Sequence, residues 1–365
     1  MKKLVILYPN FRNVDLHSDV GEFAHLLEKA GEVSSCIWNV SDEANTSEER
    51  HGVTVETISK KDGLCGLVKK LFKERKSISL LLLTQISPET LLSAWAYKFL
   101  NRKGHIHLKS ELNRRIFAEL KNPFNKLYIR LLLSKVDVVS FETKEMLSLF
   151  ESTFPNLRKK FLYLPHGISE KNFSAPEVAK EDVILYVGHL ERPDKGADVL
   201  LKAFAVLHEL PEPWKIEVVG PSAALKIHID AMFERYQNLK GRITFRGLVT
   251  DREELANLYA KSKILLLTSY AEFFPLSVLE GAYYGCVPVS TDVPGAKEIA
   301  LDGAVGKFAK TGDYPSIARD IVYYIEHPEE LSKQSEMIKA FARKNLTIES
   351  IVSKFQEKHS ALINS

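Results

Sequence analysis

Two carboxylates separated by seven residues, Glu272 and Glu280, are the side chains in this sequence most suited to chemistry. Ionised carboxylates only accept hydrogen bonds, so a pair of them can hold the hydroxyl groups of a ligand. The runs at 263–268 and 287–290, on either side of the pair, are apolar and strand-like. This context predicts strand, loop, helix and strand, with Glu272 in the loop and Glu280 roughly one turn into the helix.

The predicted helix start adds an anion-binding element beside these carboxylates. Pro275 suits a first helical turn, because proline lacks the N–H that a first turn leaves unused. The amides near Leu276 and Ser277 would then face an anion, helped by the positive end of the helix dipole. Hydroxyl-accepting carboxylates flanking an anion-binding helix end predict a ligand in which a sugar is joined to a diphosphate.

With its flanks, the segment 269–289 resembles the E-x7-E motif of retaining glycosyltransferases with two Rossmann-like domains (the GT-B fold, glycosyltransferase family 4-like). The match extends to the Gly-Ala pair at 281–282 and to Gly285 with the Val-Pro-Val that follows it. It departs at Phe273 and Pro275, where that family usually has glycine. Bulkier residues there are expected to narrow the sugar pocket or to change which sugar fits. Without these flanks, two glutamates at this spacing would indicate only an acidic surface helix.

A second segment, 185–200, resembles the family's strand, Gly-Arg, loop, Lys-Gly and helix motif. Gly188 is expected to let the backbone turn sharply at the strand end. Lys195 is the expected partner of the diphosphate, because a flexible ammonium can follow charge that grows on a leaving group. His189 stands where the family has arginine and is only partly charged near neutral pH, so Arg192 would have to supply the second cation.

The resemblance implies roles for these side chains. Glu272 would hold the hydroxyls of the donor sugar, Glu280 would hold the ribose, and Glu272 and Lys195 would be the catalytic residues. No covalent nucleophile is assigned, because the sequence does not identify one. The residues expected to bind the donor are Gly21, Gly188, His189, Arg192, Lys195, Leu248, Glu272, Phe274, Pro275, Leu276, Ser277 and Glu280.

Further positions come from shorter similarities. Gly21 lies where the first helix opens and suits the close backbone approach to phosphate or sugar that this loop makes in the family. The segment 104–112 alternates polar and apolar residues, which places His107 and Lys109 on one face of a strand. Both are candidates for contact with the acceptor or the donor sugar, and a structural role is the alternative for the histidine. Leu248 follows a strand end that in the family borders the nucleotide base.

The sequence indicates neither a metal nor a separate cofactor. It contains no Asp-x-Asp, and the leaving group already has a lysine and a helix end, so we expect no divalent metal. No Gly-x-Gly-x-x-Gly follows a strand, which disfavours a dinucleotide-dependent oxidoreductase. The expected co-substrate is a nucleotide sugar linked to UDP, GDP or ADP.

Length and composition predict two globular domains. At 365 residues the chain exceeds the roughly 250–300 residues at which one core usually divides. Its 45% of hydrophobic and 27% of charged residues are typical of soluble proteins. By resemblance, residues 1–168 form a Rossmann-like acceptor domain and residues 169–347 a nucleotide-sugar-binding domain. The helix at about 348–365 would cross back to the first domain.

Cysteine usage and hydropathy bear on location. The three cysteines are far apart and odd in number, so they predict neither a disulfide framework nor a metal site and favour a reducing cytoplasm. The apolar run at 4–7 is too short for a signal peptide. No run approaches the roughly 20 apolar residues needed to span a bilayer. We therefore expect a cytoplasmic protein.

Charge is distributed unevenly along the chain. Residues 1–175 carry 27 basic and 20 acidic side chains, residues 176–365 carry 23 and 27, and residues 51–150 carry 18 and 9. The basic stretches 66–76 and 121–130 suit peripheral docking on an anionic membrane, at the inner face of the cell membrane, and equally suit solvated helix faces. Nucleic acid is disfavoured, because aromatic residues are not interleaved with these charges.

Strand-like and helical patterns alternate almost throughout, which predicts α/β units with parallel sheets. The predicted strands are 3–8, 33–38, 77–84, 105–109, 136–141, 161–164, 183–187, 215–219, 243–246, 264–268, 287–290 and 306–308. The predicted helices are 20–29, 88–100, 196–210, 252–261, 278–284, 314–327 and 348–363. The polar segment Ser41–Arg50 is predicted to be a loop.

Taken with the resemblance, these patterns predict a GT-B glycosyltransferase with its substrates in the cleft between two domains. It would move a sugar to an acceptor hydroxyl with retained anomeric configuration. The acceptor would be a glycan or a lipid-linked molecule in the synthesis of envelope polysaccharide, lipopolysaccharide or glycolipid. The alternatives are a different enzyme on this architecture, such as an inverting transferase or an epimerase, and a non-catalytic relative that binds a sugar nucleotide or a partner.

Overall fold

The computed structural model describes residues 3–9, 21, 24–26, 28, 34–42, 46–50, 53–169 and 178–363. The chain forms two compact units, each with its own sheet and core. Unit 1 comprises residues 1–167 and 348–365, and unit 2 comprises residues 168–347. The predicted α/β architecture with parallel sheets is confirmed in both units.

Unit 1 contains an eight-stranded sheet in the order β3-β4-β2-β1-β5-β6-β7-β8. All neighbouring strands are parallel except β3 and β4. The strands are β1 (Lys3–Pro9), β2 (Ser34–Ser41), β3 (Thr46–Arg50), β4 (Val53–Ser59), β5 (Ile78–Thr84), β6 (His105–Ser110), β7 (Val138–Phe141) and β8 (Phe161–Tyr163). The helices are α1 (Gly63–Glu74), α2 (Pro88–Leu100), α3 (Ile116–Glu119), α4 (Pro123–Lys135) and α5 (Lys144–Thr153).

Unit 2 contains a six-stranded parallel sheet in the order β11-β10-β9-β12-β13-β14. The strands are β9 (Glu181–Val187), β10 (Lys215–Val219), β11 (Ile243–Gly247), β12 (Ser262–Leu267), β13 (Val287–Thr291) and β14 (Lys307–Ala309). The helices are α6 (Ala197–Val206), α7 (Lys226–Arg235), α8 (Arg252–Lys261), α9 (Leu276–Tyr283), α10 (Ala296–Ile299), α11 (Tyr314–Glu326) and α12 (Pro328–Asn345). The last helix, α13 (Ile348–Ile363), belongs to unit 1.

Helices cover both faces of the sheet in unit 1. The inner faces of α1, α2, α4 and α5 share one apolar cluster with the sheet. On the other face, α13 packs Ile348, Ile351 and Phe355 against Leu4 and Ile6 of β1. A parallel sheet needs this cover, because its strands are apolar on both faces.

In unit 2 the central strands position the functional side chains. Strand β12 lies between β9 and β13, and Ile264–Leu267 are buried. The carboxyl ends of parallel neighbours meet at one edge of a sheet. The residues after β9 and after β12 therefore come together, and this edge carries the candidate site.

Two sequence predictions need comment. The prediction of a loop at Ser41–Arg50 is wrong, because Thr46–Arg50 is an edge strand paired antiparallel with β4. Three of its side chains are exposed, so the strand can be polar and resemble a loop in sequence. The predicted helix at 20–29 falls largely outside the described residues, although Gly21, Ala24 and Glu28 are helical. Among the described helices, none combines the length and the apolar character that a bilayer span requires.

Candidate active site

A cavity of about 320 Å³ lies in unit 2, at the carboxyl ends of β9 and β12 and at the start of α9. It brings together nine of the residues predicted to bind the donor. The lining residues are Tyr186, Val187, Gly188, His189, Lys195, Leu267, Glu272, Phe274, Pro275, Leu276, Ser277 and Glu280.

A cation and a carboxylate face each other in this cavity. The Lys195 Nζ atom lies 2.7 Å from Glu272 Oε1, although the two residues are 77 positions apart in sequence. The Ser269 hydroxyl donates to the same oxygen at 2.7 Å. Both charged side chains are mostly buried, so the pair is little screened by solvent. The ammonium is thus held at the cavity wall, close to where an anionic ligand would lie.

The backbone around Lys195 is fixed by contacts with β9 and with the end of β12. The carbonyl of Lys195 accepts hydrogen bonds from the Thr268 hydroxyl at 3.1 Å and from the Tyr186 hydroxyl at 3.4 Å. Gly196 follows with a φ of 65°, and a Cβ atom there would lie 2.1 Å from the Thr268 carbonyl oxygen. Only glycine fits this turn, because it tolerates the left-handed conformation and leaves room for the carbonyl.

The start of α9 forms another part of the wall. Pro275 precedes the helix, at the N-cap position rather than in the first turn as predicted. The amides of Val278 and Leu279 donate to the Pro275 carbonyl and so begin the helical hydrogen bonding. Leu276 and Ser277 come before this point and line the cavity. Their N–H groups lie in the first turn, where a helix makes no internal use of them, so the positive helix end faces the cavity.

Glu280 lies on α9 one turn beyond the helix start, as predicted, and its side chain is only 17% exposed. The Tyr259 hydroxyl donates to Glu280 Oε2 at 2.7 Å, and Arg252 Nη1 lies 3.9 Å from Oε1. Burial raises the pKa of Glu280 to about 7, against the lowering effects of the tyrosine hydrogen bond and the arginine charge. Near neutral pH this carboxyl therefore exists in both protonation states.

Some predicted donor-binding residues are placed elsewhere. Arg192 is 57% exposed, forms an ion pair with Asp194 at 2.8 Å, and is not among the residues that line the cavity. Leu248 is exposed and is also not in the lining. Gly188 lines the cavity, but its φ is not in the left-handed region, so the sharp turn expected there is not the reason for glycine. A Cβ atom would lie 2.8 Å from the Tyr186 hydroxyl, and lack of space is the reason.

The candidates of unit 1 have different surroundings. Gly21 is helical and buried, and the residues just before it lie outside the described part of the chain. His107 is fully buried and stacks on Phe355 and His359. Its Nε2 lies 2.8 Å from the Ser140 hydroxyl.

The burial of His107 bears on its predicted role. Burial lowers the pKa of this histidine well below its usual value, and the nearby His359 and Lys109 act in the same direction. A neutral ring enclosed in the core of unit 1 conflicts with the prediction that it contacts a ligand. It matches the structural alternative instead.

Lys109 lies in an ion-pair cluster at the carboxyl ends of the strands of unit 1. Its Nζ is 2.7 Å from Glu142 Oε1, and His166 Nε2 is 2.7 Å from the same oxygen. Glu111 lies 3.9 Å from the ammonium. These side chains come from the ends of β6, β7 and β8, where open α/β sheets commonly bind ligands. Contact of Lys109 with an acceptor or a sugar stays a prediction.

Several residues of the site were not predicted from sequence. Tyr186, Ser269, Tyr259 and Arg252 hold or flank the predicted residues. Tyr259 and Arg252 lie outside the two motif segments, and Tyr186 and Ser269 lie within them but were given no role. Tyr186 lies two positions before Gly188 in an apolar strand, where the sequence predicts only that a tyrosine packs in the core. Within the described residues, no three His, Cys, Asp or Glu side chains are grouped so as to hold a metal ion.

Residues 168–344 match the family model of the glycosyl transferases, group 1. The match covers slightly less than half of the chain. The match covers nearly all of unit 2 and therefore the whole cavity. Lys195, Glu272 and Glu280 thus lie in the part of the chain that resembles the group 1 glycosyl transferases.

Individual curated glycosyltransferases are also similar to part of the chain. One is the GalNAc-alpha-(1->4)-GalNAc-alpha-(1->3)-diNAcBac-PP-undecaprenol alpha-1,4-N-acetyl-D-galactosaminyltransferase of Campylobacter jejuni. It is 27% identical over 166 residues, which cover 45% of this chain and 44% of the relative. The chain thus spans less than half the length of this curated relative, and the same holds for a D-inositol 3-phosphate glycosyltransferase from Streptomyces coelicolor.

Solved structures resemble the whole chain. A sucrose-phosphate synthase from Thermosynechococcus elongatus is 17% identical, with a TM-score of 0.74 over 100% of both chains. HepE from Anabaena, in complex with UDP and glucose, is 16% identical, with a TM-score of 0.73 over 99% of this chain and 100% of its own. These likenesses show the fold, which is the GT-B fold.

The three departures from the family pattern do not all reach the cavity. His189 and Pro275 line it, whereas Phe273 is about half exposed and is not among the lining residues. The neighbouring Phe274 is buried in the wall, where its ring lies against Gly295. Of these two bulky residues, only Pro275 therefore lies where it can narrow the cavity.

Proposed function

We propose that this protein is a glycosyltransferase that moves a sugar from a nucleotide-sugar donor to an acceptor hydroxyl with retained anomeric configuration. The observation that carries the proposal is one cavity containing the Lys195–Glu272 pair, the start of α9 and Glu280. This set offers a cation and helix amides for a diphosphate, with one carboxylate on each side for hydroxyl groups. The match of residues 168–344 to the group 1 glycosyl transferase family model supports the same activity.

In this proposal the ion pair of Lys195 and Glu272 rearranges when the donor binds. The diphosphate replaces Glu272 as the partner of the ammonium, and Glu272 then accepts hydrogen bonds from the hydroxyls of the sugar. Lys195 and the amides of Leu276 and Ser277 stabilise the negative charge that grows on the leaving diphosphate. Glu280 accepts hydrogen bonds from the ribose hydroxyls, and the hydrogen bond from Tyr259 fixes the position of its carboxylate.

We propose further that the reaction needs no metal and no cofactor besides the nucleotide sugar. The charge of the leaving group is met by Lys195 and by the positive end of α9, so a divalent ion would have no separate task. Turnover should be unchanged after treatment with EDTA. A loss of turnover that Mg²⁺ or Mn²⁺ restores would refute this part of the proposal.

We place the acceptor among glycans and lipid-linked sugars of the bacterial envelope, with the enzyme on the cytoplasmic side of the cell membrane. The name of the Campylobacter jejuni relative includes an undecaprenol diphosphate carrier, which supports a lipid-linked acceptor. UDP-sugars are the first donors to test, because the Anabaena structure of the same fold holds UDP and glucose.

The test is release of nucleoside diphosphate from a panel of UDP-, GDP- and ADP-sugars, with NMR of the product to read the anomeric configuration. For the active donor, Lys195→Ala should lower turnover at saturating donor about a hundredfold or more, because it removes charge stabilisation of the leaving group. Lys226→Ala, at an exposed position on α7, is the matched control and should be silent. Turnover of K195A close to wild type would remove Lys195 from catalysis.

The same panel separates the catalyst from a non-catalytic binder, the alternative that His189 in place of arginine keeps open. If a nucleotide sugar raises the melting temperature but no acceptor leads to release of nucleoside diphosphate, the protein is a non-catalytic binder of sugar nucleotides. A product of inverted configuration would retain the transferase and overturn the retaining mechanism.

A further inference from the structure

Helices α2 and α4 of unit 1 expose large apolar side chains in two stripes with the same spacing. On α2 the stripe is Leu92, Trp95 and Phe99, and on α4 it is Phe124, Leu127 and Leu131. In each helix the three residues occupy positions i, i+3 and i+7, which share one face. Phe99 is 83% exposed and Phe124 is 79% exposed. We call these six residues the α2–α4 apolar surface.

The two stripes run side by side. The Lys135 ammonium of α4 lies 4.1 Å over the ring of Trp95 on α2. Nearly two turns earlier in each helix, Glu89 of α2 is near enough to Tyr128 of α4 to help raise the pKa of the tyrosine. The helices therefore run in the same direction with their outer faces adjacent. Soluble monomers seldom expose contiguous apolar patches of this kind unless the patch binds something.

The charges around this surface point to the partner. Residues 88–135 carry ten basic and three acidic side chains. Exposed basic residues follow Phe99 at Arg102 and Lys103, and Lys126 and Arg130 lie on α4 itself. A second copy of the chain would place like charges against each other, which disfavours a homodimer through this face. An anionic lipid bilayer complements both the apolar stripes and the basic rim.

We propose that the α2–α4 apolar surface inserts into the interfacial region of an anionic bilayer, with the surrounding lysines and arginines at the lipid phosphates. Helices lying in the membrane plane bury an apolar face about 5–10 Å deep while basic side chains contact headgroups. Aromatic residues such as Trp95 favour this depth, because their rings are apolar with a polar edge. The proposal differs from charge attraction alone, since the apolar side chains leave water.

The surface also differs from the basic stretch expected at 66–76. On α1, Lys70 is engaged in ion pairs with Glu56 and Glu74, so only part of that stretch is available to lipid. Phe72 on α1 is exposed beside its own arginine, Arg75, whose guanidinium lies 4.0 Å over the ring. We therefore assign insertion to α2 and α4, with α1 at the margin.

Trp95 provides a direct probe of insertion. The chain has three tryptophans, and Trp38 and Trp214 are buried while Trp95 is 43% exposed. Adding phosphatidylcholine vesicles that contain phosphatidylglycerol should shift the emission to the blue and make it quenchable by brominated acyl chains. Pure phosphatidylcholine should give a much smaller shift. The blue shift should disappear in Trp95→Phe, because the two buried tryptophans do not change environment.

Substitutions then separate insertion from attraction in vesicle co-sedimentation. Phe99→Ser with Phe124→Ser should weaken binding at least about tenfold, because two large apolar side chains no longer leave water. Lys126→Gln with Arg130→Gln should weaken it about fivefold for each charge and lower its salt dependence. Ile227→Ser, an equally exposed apolar residue in unit 2, is the control and should bind like wild type.

Three outcomes would overturn the proposal. The first is an unchanged Trp95 emission with anionic vesicles at low salt. The second is vesicle binding that Phe99→Ser with Phe124→Ser leaves intact, since attraction by charge alone would then suffice. The third is a concentration-dependent dimer, seen by analytical ultracentrifugation and abolished by the same double variant, which would assign the surface to a second copy. None of these results depends on the proposed transferase activity.

Discussion

Replacing Glu280 by glutamine should stabilise unit 2 and weaken nucleotide binding, two effects of opposite sign from one side chain. Burial raises the pKa of Glu280 from 4.5 to about 7. Each pKa unit corresponds to about 1.4 kcal/mol, so an ionised Glu280 costs the folded state about 3 kcal/mol relative to a neutral group. A glutamine cannot ionise, and its carbonyl oxygen can still accept the Tyr259 hydroxyl.

The sign of the pH dependence follows from this raised pKa. Below about pH 4.5 Glu280 is protonated in both the folded and the unfolded chain, so it does not reduce the free energy of unfolding. As the pH rises from about 4.5 to about 7, the unfolded chain releases this proton first, so wild-type stability falls. Above about pH 7 the carboxyl is ionised in both states, and the loss of stability caused by Glu280 no longer changes with pH. The advantage of E280Q should therefore be largest near pH 8 and small near pH 5.

Urea unfolding near pH 5 and near pH 8 measures this difference. The parent, E280Q and the control all carry Trp38→Phe and Trp95→Phe, so that the fluorescence of Trp214 reports on the unfolding of unit 2 alone. Near pH 8 we expect E280Q to be more stable than its parent by about 2–3 kcal/mol. Glu234→Gln, at an exposed position on α7, is the matched control and should change stability by less than about 0.5 kcal/mol.

Nucleotide binding completes the test. The proposed contact with ribose needs an acceptor of two hydroxyl hydrogen bonds, so E280Q should bind the nucleoside diphosphate about tenfold more weakly or worse. Equal affinity would remove Glu280 from the nucleotide site. Equal stability of E280Q and its parent at both pH values would refute the raised pKa and the burial argument behind it.

Two further predictions concern the backbone and the thiols. Gly196→Ala should destabilise the protein by more than about 1 kcal/mol and lower turnover, because φ is positive and a backbone oxygen occupies the Cβ position. Gly241 also has a positive φ, but no atom lies within 4 Å of its Cβ position. Gly241→Ala should therefore lower stability only through backbone strain and leave turnover unchanged. A thiol reagent should label only Cys65 in the native protein, as read by mass spectrometry. Cys286 and Cys36 are buried, and burial raises the pKa of the Cys36 thiol to about 12. Rapid labelling of a second cysteine would contradict this.

Local sequence was sufficient where an element carries its own boundary signals. The helices Pro88–Leu100 and Arg252–Lys261 were predicted with the bounds that the structure has. Ser87 and Asp251 precede them, and each side chain accepts a hydrogen bond from a first-turn amide. Such caps, with an apolar face at helical spacing, act over a few residues and are visible in sequence.

Local sequence failed where pairing or packing decides the element. The strand Thr46–Arg50 is polar and becomes a strand because it pairs with β4 at the sheet edge. The helix Pro328–Asn345 was not predicted, since only Leu331, Ile338 and Ala342 among its residues are fully buried. Its packing against other helices compensates for a weak apolar pattern.

The sequence alone determined the chemical types at the site and the two segments that supply them. It identified Glu272, Glu280 and Lys195, and it indicated a helix start between the carboxylates, because spacing and flanking strands are local properties. It also pointed to His189 in place of an arginine. These predictions needed the order of residues along the chain and, for Lys195 and His189, the resemblance of that order to a family motif.

Only the tertiary structure decided how these groups are paired and charged. Lys195 and Glu272 become partners because parallel strands bring their carboxyl ends to one edge, across 77 residues of sequence. The pKa of Glu280 is set by burial and by Tyr259 and Arg252, which belong to another helix. Desolvation and contact depend on the atoms that surround a group in three dimensions, and a linear motif does not specify them.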